Sequence, residues 1–327
     1  MTIIKNSLLA LCLVASLFSC NNDDDNNNAS FPVLSREESE ANDRATIETY
    51  LRRHYFNSAQ LDSLQNPTAS DIVIEQLQLG VNEAPAGHTI LVESQLLEKR
   101  EAVFEDTNYE YYVLTLRKGE GRAPNLTDNL RMKLEGFTIN NSEEFVFATT
   151  ANSLILDLAS DLSFVGWRLV APTFNTAASF TEQENGELTF NGAGTGVMFL
   201  PSGLAFFSES VNNLREPLDN NNNNQQQQTP NQNVTRFTPV AFKFDILQSF
   251  VNDHDMDGIP SHVEDNSPAL NLDTDGDLTV NYRDNDDDGD GIPTINEDID
   301  NDGNPANDIG RNNIPRYLDP EEVEFVN

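Results

Sequence analysis

The sequence predicts an α+β fold in which an antiparallel sheet packs on one short helix, and three observations carry that reading. From Asn42 to Phe56 apolar residues recur with a helical period. Beyond Tyr111 the pattern shifts to short runs of strand-forming residues broken by glycine and proline turns. The sole tryptophan, Trp167, lies in the one later stretch, Phe164 to Phe174, that reads as a short helix. A sheet and a helix each leave an apolar face to cover, and packing one on the other is the simplest solution.

The first residues concern address rather than fold. Met1 to Asn6 carry one positive charge, Lys5, and Ser7 to Phe18 form an apolar run too short for a stable span. Residues 1–19 therefore read as a signal peptide. Its end, Leu17-Phe18-Ser19-Cys20, resembles a bacterial lipobox, which makes Cys20 the lipidated first residue of the mature chain. The alternative is ordinary cleavage nearby, with Cys20 left as a free thiol. Cys12 departs with the signal, so no disulfide forms within one chain. Two or three acyl chains, at about 0.8 kcal/mol per buried methylene, make a firm membrane anchor. Residues 20–30 are a polar tether with too little apolar surface to fold. Its acidic run either resembles the surface-export signal of Bacteroidetes lipoproteins or is a solvated spacer. The expected address is an exported outer-membrane lipoprotein facing the periplasm or the cell surface.

Residues 31–107 read as an N-terminal extension with a helix. Ile47, Tyr50, Leu51 and Tyr55 form the face of that helix, and His54 reads as a packed or capping side chain rather than a ligand. Leu91 to Arg100 fits a strand or a short helix. Residues 108–250 supply the sheet: Tyr111 to Leu116, Leu130 to Leu134, Leu154 to Leu158, Glu187 to Phe190, Gly196 to Leu200 and Pro239 to Leu247. The asparagine–glutamine tract at 219–233 cannot fold alone. It reads as a long loop, because the last strand still needs a partner, with a domain boundary as the alternative. From 251 to 327 the composition shifts: 22 of the chain's 54 acidic residues fall there, against three arginines and no lysine. That segment reads as a separate unit.

Nineteen basic against 54 acidic residues give a net charge of −35. A phosphate backbone would be repelled, which excludes nucleic acid as a partner. No apolar stretch after residue 20 approaches the roughly 20 residues of a membrane span. Gly192-Ala193-Gly194-Thr195-Gly196 precedes a strand rather than opening a helix, so it is not a nucleotide loop.

Five segments between 108 and 248 stand in a recognisable order: Leu130 to Gly136, Glu143-Glu144-Phe145, Phe164-Val165-Gly166-Trp167, Phe199 to Phe206, and Val240 to Leu247. Together they resemble the FKBP-type peptidyl-prolyl isomerases. The resemblance implies a strongly curved antiparallel sheet wrapped on a short helix, with an apolar pocket between them and no cofactor for catalysis. It implies proline-containing exported polypeptides as partners. Trp167 would form the pocket floor, the backbone N–H of Phe164 would donate to the substrate carbonyl, and Phe145, Leu154, Phe206 and Phe242 would form the walls. Three positions depart from the family: Leu134 replaces a tyrosine, Val146 an aspartate, and Phe206 a tyrosine. The chain between Trp167 and Pro201 is about fifteen residues longer than the family's, and the asparagine–glutamine tract falls in the loop that overhangs the pocket.

Two tail stretches fit an alternating-aspartate calcium loop: Asp253, Asp255, Asp257, Gly258 and Glu264, then Asp286, Asp288, Asp290, Gly291 and Glu297. Three aspartates, a backbone carbonyl (Ile259 or Ile292) and a bidentate glutamate would supply the six to eight oxygens that calcium takes. Asp273, Asp275, Asp277 and Asp298, Asp300, Asp302 are partial copies. Pro260 and Pro293 depart from an EF-hand, and the tail looks more like thrombospondin type 3 repeats, with structural Ca²⁺ as the expected ligand. The expected function is X–Pro isomerisation assisting exported proteins. The alternatives are a catalytically weak binding or chaperone module, or a calcium-dependent surface structural protein.

Overall fold

The computed structural model describes residues 34–140, 145–150, 152–160, 163–184, 186–210 and 234–322. The signal peptide, Cys20 with its tether, Glu143-Glu144 and the tract at 219–233 lie outside the described residues. The described residues cluster as one compact unit.

Helix α1, Arg36–Arg53, starts earlier than the apolar period because Ser35 and Glu38 form a reciprocal cap. Glu37 and Glu38 in its first turn and Arg52 and Arg53 in its last match the helix dipole. It buries Ile47, Tyr50 and Leu51. The expected continuation to Phe56 is corrected: the chain turns extended at His54, and β1 (His54–Phe56) pairs with β2 (Ile74–Gln76) and β3 (Thr89–Ile90) in a small sheet. His54 does pack, its ring stacked 3.7 Å from that of Tyr50, and burial lowers its pKa. A short helix, α2 (Ser58–Ser63), follows β1.

The main sheet contains β4 (Leu97–Phe104), β5 (Thr107–Arg117), β6 (Asn129–Thr138), β7 (Val146–Thr149), β8 (Leu154–Asp157), β11 (Gly194–Leu200) and β12 (Val240–Phe250). Its order is β4-β5-β11-β12-β6-β7, with β8 pairing the other half of β6, and every pair is antiparallel. Register shifts at Thr195/Gly196, Ile246/Gln248 and Gly136/Phe137 increase twist and bend the sheet. Helix α3 (Val165–Val170) carries Trp167 onto one face, and a hairpin of β9 (Ser179–Glu182) and β10 (Leu188–Asn191) stands apart. The fold is thus α+β, a curved antiparallel sheet with few helices.

Both faces of that sheet are buried. Tyr111, Val113, Met198, Phe242, Phe244 and Ile246 pack with α3. The alternate positions Tyr112, Leu114, Val197, Phe199 and Ala241 pack with α1 and the small sheet. Side chains alternate across a strand, so β11, covered on both faces, is buried at all seven positions. Of Leu91 to Arg100, the first residues form a short 3₁₀ turn and the last belong to β4.

Two buried aspartates tie the N-terminal layer to the sheet. Asp43 of α1 accepts from the Ser202 N–H at 2.7 Å and its hydroxyl at 2.6 Å. Asp245 of β12 accepts from the Ala69 N–H at 3.0 Å and the Thr195 hydroxyl at 2.8 Å. Burial outweighs these bonds and raises both carboxyls to about 6. A carboxyl raised on folding binds its proton more tightly in the native state, so stability falls as pH rises from about 4 to about 6. Asp43→Asn removes that dependence at one position. Its stability relative to the parent is expected to improve by about 3 kcal/mol between pH 4 and pH 7, read from urea midpoints across the range.

Candidate functional site

Between α3, the bent sheet and the chain after β11 lies a cleft of about 1030 Å³. Trp167 is its buried floor. The tryptophan ring is 5.4 Å from that of Phe242 and 6.0 Å from that of Phe164. Phe164 and Phe206 meet edge to face at 5.2 Å, and Phe147 meets Phe206 at 5.9 Å and Phe242 at 5.5 Å. Such offset and edge-on contacts hold aromatic walls rigid beyond their buried area. Leu134 and Leu154 complete the apolar lining. Gly136 makes room for it: a methyl there would stand 2.6 Å from Phe242 Cε1 and 2.9 Å from Phe147 Cζ. Phe164 caps α3 with extended backbone. Its N–H has no hydrogen-bond acceptor among the described residues, which leaves a backbone donor at a cleft-lining position.

Trp167, Phe164, Leu154, Phe206 and Phe242 are therefore gathered around one cavity, and Phe145 is not among its lining residues. Phe147, two residues on, takes the wall, with Phe145 6.5 Å away against its ring. Val146 packs on the opposite face of the sheet, and the residue after the wall phenylalanine is the cleft-lining Ala148. Period-two alternation puts Phe145 and Phe147 on one side, and only the greater burial of Phe147 separates them. That depends on a β6–β7 pairing with a register shift at Gly136/Phe137.

Two further parts of the cleft had no sequence signal. Arg36 of α1 stands at its rim, 4.2 Å over the Phe207 ring and ion-paired to Glu105 at 2.7 Å. Ala269, Leu270 and Tyr282 of the acidic tail line its side. Leu270 and Tyr282 share a small core with Ala159. Three polar contacts hold them there: Arg168 Nε donates to the Pro268 carbonyl at 2.8 Å, Arg283 Nη2 to the Ala159 carbonyl at 2.9 Å, and His254 Nε2 meets Asp157 at 3.2 Å.

The tail itself is a series of turns folded around aspartates. The first aspartate of each turn, Asp253, Asp273, Asp286 or Asp298, accepts from the N–H five residues on. The third, Asp257, Asp277, Asp290 or Asp302, accepts from the N–H two residues on. The two partial copies thus adopt the same turn as the two full matches. Four triads follow, Asp253/255/257, Asp273/275/277, Asp286/288/290 and Asp298/300/302, each with oxygens within 4.8 Å of one another. Ile259 and Ile292 are buried and donate their N–H groups to Asp257 and Asp290.

Glu264 and Glu297, expected to close the two full loops, are buried. Burial and then neighbouring carboxylates push Glu264 up to about 10 and Glu297 to about 8. The same causes raise Asp255 to about 7. Oxygens of Asp255, Asp257, Asp286, Asp288 and Asp290 are buried without a hydrogen-bond partner among the described residues. Such a set is costly as bare anions and has the donor chemistry of a hard divalent cation.

No family model and no curated protein matches the sequence. Among solved structures the fold is similar to a peptidyl-prolyl cis-trans isomerase from Pseudomonas syringae pv. tomato, 14% identical over 42% of this chain and 74% of that one, with a TM-score of 0.27. It is similar to FkpA from Escherichia coli, 15% identical over 42% of this chain and 47% of that one, TM-score 0.27. It is also similar to the N-terminal domain of FKBP42 from Arabidopsis thaliana, 11% identical over 47% of this chain and 94% of that one, TM-score 0.30.

Proposed function

We propose that the chain is a peptidyl-prolyl cis-trans isomerase that acts on proline-containing exported polypeptides without a catalytic cofactor. The observation that carries this reading is the aromatic cleft over Trp167, with the N–H of Phe164, which has no acceptor among the described residues, at its lining. Rotation about an X–Pro bond faces a barrier of about 18–20 kcal/mol because amide resonance is lost at the twisted state. The twisted amide is less polar than the planar one, so an apolar, water-poor wall favours it over the ground state. No nucleophile or proton transfer is required. Phe164 N–H anchors the substrate carbonyl while Trp167, Phe147 and Phe242 enclose the proline ring.

The tail, in the same proposal, binds structural Ca²⁺ through its aspartate loops, and the lipid on Cys20 holds the molecule at the outer membrane. The orphaned buried carboxylate oxygens support the first part; the lipobox-like sequence supports the second.

Leu134, Ala148 and Phe206 give the cleft lining no polar side chain at these three positions, which favours slow turnover with binding retained. The test is isomerisation of an X–Pro tetrapeptide by the full chain and by the triple variant Leu134→Tyr, Ala148→Asp, Phe206→Tyr. The parent is expected to accelerate the reaction, and the variant to raise kcat/KM at least tenfold, about 1.4 kcal/mol of transition-state stabilisation. A parent that binds the peptide without accelerating it, and a variant that does no better, would make the protein a binding module.

A further inference from the structure

The geometry points to a divalent-cation site that joins two loops of the tail, formed by Asp257 and Glu264 from the first and Asp287 from the third. It rests on reading the tail as a cation binder, but it is not one of the repeated triads. Asp287 occupies the second position of its loop, between Asp286 and Asp288, where the alternating pattern asks for no ligand. Its oxygen nevertheless lies within 4.8 Å of ligand atoms from Asp257 and Glu264.

Relative exposures of 1% for Asp257, 3% for Glu264 and 1% for Asp287 decide that this is an interior cluster rather than a solvated acidic patch. Each aspartate commits one oxygen to a neutral donor: Asp257 Oδ1 accepts from the Ile259 N–H at 2.8 Å, and Asp287 Oδ2 from the Thr294 hydroxyl at 2.8 Å. The other oxygen of each, and both oxygens of Glu264, are buried without a hydrogen-bond partner among the described residues. No lysine, arginine or histidine is ion-paired to any of the three among the described residues. A buried, uncompensated group of three carboxylates is among the most expensive arrangements a fold can contain. A cation offsets that cost directly.

The four free oxygens are hard donors, and a two-oxygen glutamate suits calcium, which takes six to eight oxygens and tolerates bidentate carboxylates; magnesium prefers a stricter octahedron rich in water. Asp257 also belongs to the first triad, so its carboxylate bridges two ions. This reassigns Glu264 from closing the first loop to holding the inter-loop ion. Residues 265–286, which include the cleft-lining Leu270 and Tyr282, are the chain closed between the two clamped ends.

The test is the number of calcium ions bound per full-length chain, from native mass spectrometry and equilibrium dialysis with Ca²⁺ alone. Asp287→Asn is expected to bind one ion fewer than the parent. Glu264→Gln is expected to lose the same ion, so the double variant lacks one ion rather than two. Asp273→Asn, in the second loop, should lose a different ion, and its loss should add to that of Asp287→Asn. An Asp287→Asn chain that keeps the parent's full complement, or loses every ion in one step, overturns the site. A double variant lacking two ions also overturns it, because the two residues would then serve separate ions. A parent that binds no calcium overturns the loop reading itself, which is a different result from a parent that binds calcium with Asp287 uninvolved.

Discussion

Trp167→Ala is expected to abolish the proposed acceleration of X–Pro isomerisation and to cost about 3–5 kcal/mol of stability, the range for truncating a fully buried aromatic side chain. The two effects share one cause. Trp167 is 2% exposed and packs against Phe164, Phe242 and Phe244 at centroid distances of 6.0, 5.4 and 5.6 Å. Removing it leaves a cavity below the site and lets water reach a wall whose effect depends on staying dry. Because a destabilised chain could lose activity simply by unfolding, Phe147→Leu provides the second measurement. It keeps an apolar side chain in the core, is expected to cost less stability, and should lower kcat/KM at least tenfold. Phe145→Leu, absent from the cleft lining, should change kcat/KM less than threefold. Equal effects at 145 and 147 would sink the assignment of the wall. The parent offers a direct probe as well: its single tryptophan should change emission when a proline peptide binds.

The contrast between Phe145 and Phe147 also marks how far the sequence could be read. Residues whose roles follow from local pattern were legible: the apolar face of α1, the long strands, the helix around Trp167, and the aspartate turns. Each is set by neighbours within a few positions. What was not legible depends on contacts between distant segments. The end of α1 at Arg53 is decided by pairing of residues 54–56 with strands more than fifteen residues away, against a helical period that runs on to Tyr55. The choice of Phe147 over Phe145 is decided by a register shift against β6. The burial of the second sheet face became visible only when α1 was seen lying on it. Leu270 and Tyr282 belong to a segment that reads from composition as a separate acidic unit, and nothing in its local pattern places them at the cleft. The polar contacts that put them there run from Arg168 and Asp157 across about a hundred residues of chain.

That last contact leads to the second large effect: removal of divalent cation is expected to weaken proline-peptide binding about tenfold, or about 1.4 kcal/mol. The cleft's side wall is Leu270 and Tyr282, held in a core with Ala159. The same segment lies between buried carboxylates of the first and third loops, which only a bound cation draws together as ligands. Chelation therefore acts on the loops first and on the wall through them. The ligand then loses apolar contact area on one side and meets more water on the other. Thermodynamic linkage makes the effect reciprocal, so a saturating proline peptide should tighten calcium binding by the same factor. Two titrations of the full chain test this, peptide affinity with calcium and with chelator, and calcium affinity with and without peptide. Leu270→Ala separates the wall from the ions. It should bind calcium as the parent does, bind peptide more weakly in its presence, and show little further loss on chelation. Peptide affinity that is unchanged within twofold by chelator, in a parent shown to bind calcium, would mean that the wall stands without its cations.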